Sequence, residues 1–103
     1  MEKLIDLREV LVNVEKFSWE DSLFLPPTET WSLDTNCAIL NTDDLDDEEE
    51  PRFAIDNNLK DALTIQDVQG VVMNIREQHP ECTDDDLLKA LLHYYQHDAF
   101  IVL

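Results

Sequence analysis

A chain of 103 residues carries 24 Asp plus Glu against 7 Lys plus Arg, a formal net charge of −17, yet 44% of it is hydrophobic. That length implies one domain over residues 1–103, and aromatic and β-branched residues spread along the chain mark a globular acid, not a disordered one. The charge excludes direct binding of nucleic acid, whose phosphates need Lys and Arg, and it disfavours an anionic membrane surface and self-association through acidic faces, so a monomer is expected.

From Lys3 to Lys16 the apolar residues Leu4, Leu7, Val10, Leu11 and Val14 recur at spacings of three and four, the stripe of a first helix. Phe17, Trp19, Leu23, Phe24 and Leu25 then form a short extended segment closed by Pro26-Pro27. Trp31 to Leu40 reads as a strand or two, with Cys37-Ala38-Ile39-Leu40 as its buried run. An acidic loop over residues 41–51 follows, and Arg52-Phe53-Ala54-Ile55 alternates like a half-buried strand before the turn residues Asp56-Asn57-Asn58. A hairpin joined by the acidic loop is the expectation. Ile65, Val68, Val72 and Ile75 define a second helix with Thr64 as N-cap, stopped by Pro80. Gly70, the single glycine, lies inside it, which suggests close approach of a neighbouring element. Thr83 followed by Asp84, Asp85 and Asp86 is a capped helix start where the macrodipole favours acids, and Leu87, Leu88, Leu91, Leu92 and Tyr95 continue the pattern. Asp98 breaks it, and Ala99 to Leu103 reads as a C-terminal strand docked into the sheet. The expected fold is α+β: a small, mostly antiparallel sheet from residues 22–56 and the C-terminal strand, covered by about three helices.

No apolar stretch reaches the roughly 18–20 residues that cross a bilayer, and the charged segment Met1 to Asp6 lacks the apolar run of a signal peptide, so a cytoplasmic location is expected. Cys37 and Cys82 have no CxxC companion and read as buried or half-buried thiols of a reducing compartment.

The sharpest feature is Asp43, Asp44, Asp46, Asp47, Glu48, Glu49 and Glu50, interrupted only by Leu45. In water such charge is screened over about 8–10 Å, so a solvated segment tolerates it, while a cationic surface is strongly attracted to it. A calcium loop would place acids at alternate positions with a glycine at the sixth, and these acids are contiguous with no glycine. His93 and His97 stand four apart on a helix with His79 nearby, but no HExxH or third ligand at fixed spacing accompanies them. No GxSxG is present, neither cysteine has a neighbouring histidine, and one glycine cannot build a phosphate-cradling loop, so no metal, cofactor or catalytic residue is expected. Trp19 and Trp31 read as core members more than interface anchors. Tyr94 and Tyr95 should face opposite sides of their helix, one buried and one free for contact.

The stretches Trp31-Ser32-Leu33-Asp34-Thr35-Asn36-Cys37-Ala38-Ile39-Leu40, Ile65-Gln66-Asp67-Val68-Gln69 and His97-Asp98-Ala99-Phe100 resemble a family of small bacterial proteins associated with immunity to contact-dependent growth inhibition toxins and related polymorphic toxins. The resemblance covers about residues 4–101 and carries over no catalytic or binding residue. It implies a cytoplasmic, non-enzymatic inhibitor that binds one cognate toxin domain, commonly a basic nuclease acting on RNA, tRNA or DNA. Against such a basic partner the expected main steering surface is Asp43 to Glu50, with Asp34, Asp56 and Trp31 as flanking contacts. Two other classes stay open: a nucleic-acid mimic, which would space its carboxylates like phosphates, and an adaptor that binds a cytoplasmic protein through apolar helix faces and would need no acidic cluster. A small enzyme is the weakest reading, since it would need a pocket with convergent polar groups.

Overall fold

Two periodicities written into the chain meet in one α+β domain, and the computed structural model describes residues 3–27, 30–41 and 50–100 of it. In order the elements are β1 (Ile5–Asp6), α1 (Leu7–Val12), a 3₁₀ turn (Val14–Lys16), β2 (Ser22–Leu25), β3 (Asn36–Leu40), α2 (Arg52–Asp56), β4 (Lys60–Thr64), α3 (Ile65–Gln78) and α4 (Asp84–His97). The strands form an antiparallel sheet in the order β1-β3-β2-β4.

Side chains alternate across the sheet, and each face has its own core. Leu23, Leu25 and Cys37 point to one face, where they meet Leu7, Val10 and Leu11 of α1, Val68, Val72 and Ile75 of α3, and Leu87, Ala90 and Leu91 of α4. Phe24, Ala38 and Leu40 point to the other, where they meet Ala54 of α2 and Leu59. Because both faces are covered, all four residues of β2 are buried. Each fully buried aliphatic side chain contributes about 1.5–3 kcal/mol, so the larger face dominates stability.

Both long helices start where the caps predict. Thr64 Oγ1 accepts the Asp67 N–H at 3.1 Å, and at α4 Thr83 Oγ1 accepts from the Asp86 N–H at 3.2 Å while Asp86 Oδ2 accepts from the Thr83 N–H at 2.9 Å, a reciprocal capping box. That bond from the Thr83 backbone holds the Asp86 carboxyl below the usual range, aided by the Thr83 hydroxyl and the charges of His79 and Lys89. Asp98 ends α4 in the left-handed region at φ 52°, and its N–H bonds Tyr94 O at 2.7 Å.

Five expectations are corrected. The first helix begins at Leu7, because Ile5 and Asp6 pair with Cys37 and Asn36 as an edge strand, and Leu4 is left exposed. Arg52 to Asp56 is a turn of helix, closed by Ile55 N–H to Pro51 O at 3.1 Å and an Arg52–Asp56 ion pair at 3.0 Å, so β3 and residues 52–56 form no hairpin. A further strand, β4, lies where none was expected. Its register shifts opposite Leu23 and Phe24, a bulge that lets the adjacent Ala62 and Leu63 both face the larger core. The sheet edges are β1 and β4, and Ala99 and Phe100 belong to no strand; residues 101–103 of the expected C-terminal strand lie outside those described. Trp19 is exposed, because Phe17, two residues earlier, is the aromatic that packs on the core before the Ser18–Asp21 turn, whereas Trp31 is buried as expected.

Candidate partner-binding surface

Residues of the smaller core flank the acidic run in sequence. Leu40, just before it, and Pro51 and Ala54, just after it, are all buried, and Leu40 and Ala54 share one cluster. Asp43, Asp44, Asp46, Asp47, Glu48 and Glu49 themselves lie outside the described residues. Glu50 is exposed and already engaged: Lys60 Nζ donates to its Oε1 at 2.8 Å and Oε2 at 3.2 Å. Lys60 belongs to the edge strand β4, where it and Asp61 also discourage pairing with a further strand. Desolvation in that strand pushes the Asp61 carboxyl up.

The expected flanking contacts separate into three situations. Asp56 is held by Arg52. Asp34 is exposed and lines an open polar cleft of about 460 Å³ with Leu4, Thr30, Ser32, Asn36 and Asn57. The turn that presents it is fixed by Thr35, whose hydroxyl accepts the Ser32 N–H at 2.8 Å and whose N–H bonds Ser32 O at 3.1 Å. Trp31 is only 9% exposed, with its indole N–H donated to Pro26 O at 2.8 Å. The structure therefore brings Asp34 and Asn57, at the end of α2, to one cleft, and Trp31 does not line it.

Trp31 floors a second cleft, of about 300 Å³, that sequence reasoning did not find. Its walls are Pro27, Leu92 and Tyr95, with Thr30 and Gln96 at the rim, and Thr30 is common to both clefts. Tyr95 is 49% exposed, and its ring meets Trp31 edge-on with centroids 4.6 Å apart. The signal in the sequence was the Tyr94-Tyr95 pair. Tyr94 is the inward member, donating its hydroxyl to Asp67 Oδ1 at 3.4 Å, with its ring tilted against that of Phe100 at a centroid distance of 5.4 Å. Desolvation first, then the charges of Asp67 and Asp98, push the Tyr94 hydroxyl up and keep it a donor.

The remaining reactive groups are structural in their surroundings. Cys37 is fully buried, its thiol pushed up to about 12 by desolvation and by Asp6 and Glu9, and its S–H is aimed at Ile5 O at 3.4 Å. Cys82 is half-buried, and both thiols are free. The His93 and His97 rings lie 4.6 Å apart, and among the described residues no group of three His, Cys, Asp or Glu is placed to hold a metal ion. Among the same residues no helix is long and apolar enough to cross a membrane.

These features define an α+β domain with an acidic exterior and two adjoining surface clefts. Within that class the chain belongs to the DUF7716 family, a domain of unknown function, whose model matches residues 4–103. No curated protein and no solved structure matches the chain.

Proposed function

We propose that this protein is an immunity protein that binds and neutralises a cognate basic toxin domain, a nuclease, in the cytoplasm, and that it does so without chemistry of its own. One observation carries the reading: a net charge of −17 that the chain does not neutralise internally. Of its seven cations, Arg8, Arg52, Lys60 and Arg76 are already paired with Asp84, Asp56, Glu50 and Glu15. Even complete pairing would leave seventeen carboxylates in excess, which either stay hydrated or meet a cationic partner.

A nuclease groove grips phosphates with Lys and Arg, so an acidic protein is its electrostatic complement. Opposite potentials raise association toward the order of 10⁸–10⁹ M⁻¹s⁻¹ at low salt, and fast capture suits an antidote. In sequence the acidic run lies between Leu40 and Ala54, both in the smaller core.

The test is co-purification with the toxin domain encoded beside it, using the native chain and a variant with Asp43, Asp44, Asp46, Asp47, Glu48, Glu49 and Glu50 changed to Asn or Gln. The expected result is capture of a basic domain by the native chain and slow or lost capture by the variant. Equal capture by both would refute the acidic run as the steering surface, and absence of a basic partner would refute the immunity reading.

A further inference from the structure

We infer that the two clefts either side of Thr30 form the docking point for an arginine-bearing segment of the partner, with the guanidinium laid on Tyr95 over Trp31 and a neighbouring cation at Asp34. This rests on the reading that the partner is basic, and it names the contact the acidic run alone does not supply: a specific one.

The argument begins with Tyr95. A tyrosine 49% exposed on α4, beside a buried tryptophan, keeps apolar ring surface in water. The ring rests edge-on against Trp31, whose indole N–H is donated to Pro26 O. The cleft is thus preformed and lined by Pro27, Trp31, Leu92 and Tyr95. Such walls accept either an apolar side chain or a cation with a flat face and an apolar stem. The chain's charge decides between these. A surface at −17 draws cations, and aromatic faces attract Arg more than Lys because guanidinium is planar and weakly hydrated. Its propyl stem fits along Leu92 and Pro27 while its head stays near the rim at Gln96.

The second cleft adds the carboxylate. Asp34 is exposed and is in none of the ion pairs that Arg8, Arg52, Lys60 and Arg76 make, and its cleft meets the aromatic one at Thr30. An extended basic segment crossing Thr30 would place one cation on the aromatic wall and the next beside Asp34. A purely electrostatic surface has no such order, so steering and recognition divide between the acidic run and these clefts.

The experiment titrates hexa-arginine, hexa-lysine and hexa-citrulline peptides into the full chain, following the Trp indole and Tyr ring resonances by NMR and the affinity at two salt concentrations. Trp19, exposed and outside both clefts, is the internal control. Hexa-arginine should move the Trp31 and Tyr95 signals and leave Trp19 unmoved, with hexa-lysine weaker and hexa-citrulline silent. Tyr95→Leu should weaken hexa-arginine binding about two- to five-fold, the range of an exposed cation–π contact, while Tyr95→Phe should bind as the native chain does. Asp34→Asn should weaken it and reduce the salt dependence. If hexa-arginine binds with strong salt dependence but equally well to Tyr95→Leu, with Trp31 and Tyr95 unmoved, the inference is overturned while the acidic-surface reading survives. If no peptide binds, both fall.

Discussion

Gly70→Ala is the substitution whose sign says most about how α3 is packed. The glycine lies within α3, where Gly is less favourable than Ala by about 0.8–1 kcal/mol. Added methyl groups cancel that gain when a neighbouring backbone is too close. Here a Cβ would meet Phe100 Cζ at 3.6 Å and Cε1 at 3.8 Å, ordinary contact with a half-exposed ring. The net expectation is stabilisation by about 1 kcal/mol, a rise in Tm of about 4–8 °C for a domain of this size. Urea unfolding followed by circular dichroism should show a higher midpoint with an unchanged slope, and calorimetry should show the higher Tm. The same gain should persist in a Phe100→Ala background, because it comes from helix propensity and not from the ring. A lower midpoint for Gly70→Ala would refute this reasoning, and would mean that another part of the chain approaches α3 as closely as a lone helical glycine suggests.

Removing the α4 cap by Thr83→Ala takes away the acceptor of the Asp86 N–H and should cost about 1 kcal/mol, read as a lower urea midpoint. Asp86 has a folded pKa below its unfolded one, so its stabilising contribution is present above the unfolded value and is lost as pH falls through the folded value; the stability gap between native and Asp86→Asn should be largest at neutral pH and close on acidification below about pH 4. Asp98→Gly should stabilise by about 0.5–1 kcal/mol, since it relieves a left-handed non-glycine at φ 52° and removes a negative charge from a helix C-terminus. Gln69→Leu should destabilise by about 1–2 kcal/mol in the same assay, because the Gln69 amide donates to Val14 O at 3.2 Å and Phe17 O at 3.1 Å and ties the 3₁₀ turn to α3.

Where a long period or a cap was present, the chain was readable. Fourteen-residue α3 and α4 repeat their apolar stripes several times and open on Thr64 and Thr83, and both caps form as the residue types demand. The α+β class, the buried run at Cys37 to Leu40 and the division of labour between Tyr94 and Tyr95 follow from the same local rules. Misreadings fall where four or five residues must decide between periods. Arg52-Phe53-Ala54-Ile55 alternates as a strand would, yet one turn of helix also buries Ala54 against Ala38 and Leu40, and tertiary contact chooses. β4 was hidden by its bulge, which turns Ala62 and Leu63 the same way and erases the alternation that reveals a strand. The acidic residues were legible as charge, but the aromatic cleft was not, since Pro27 and Trp31 are distant in sequence from Leu92 and Tyr95 and become one surface with them only when α4 docks beside Trp31.

Charge and fold are separable in this molecule, and that separation gives the binding proposals their test. Among the described residues those that are buried are apolar apart from Ser22, so no described carboxylate is needed inside either core. The acidic run lies in sequence between Leu40 and Ala54 of the smaller core, and of its seven acids only Glu50 is among the described residues, paired with Lys60. Neutralising Asp43 to Glu49 while keeping Glu50 therefore leaves every described core contact in place and removes mutual repulsion, which destabilises a compact chain far from neutrality. Its midpoint in urea should rise or hold, and added salt, which stabilises the native chain by screening that repulsion, should help the variant less. Association with a basic partner should move the opposite way, slowing in the variant and losing part of its salt dependence. A variant that lost stability and binding together would instead tie these carboxylates to the fold, and the division between a folded scaffold and an acidic recognition run would fail.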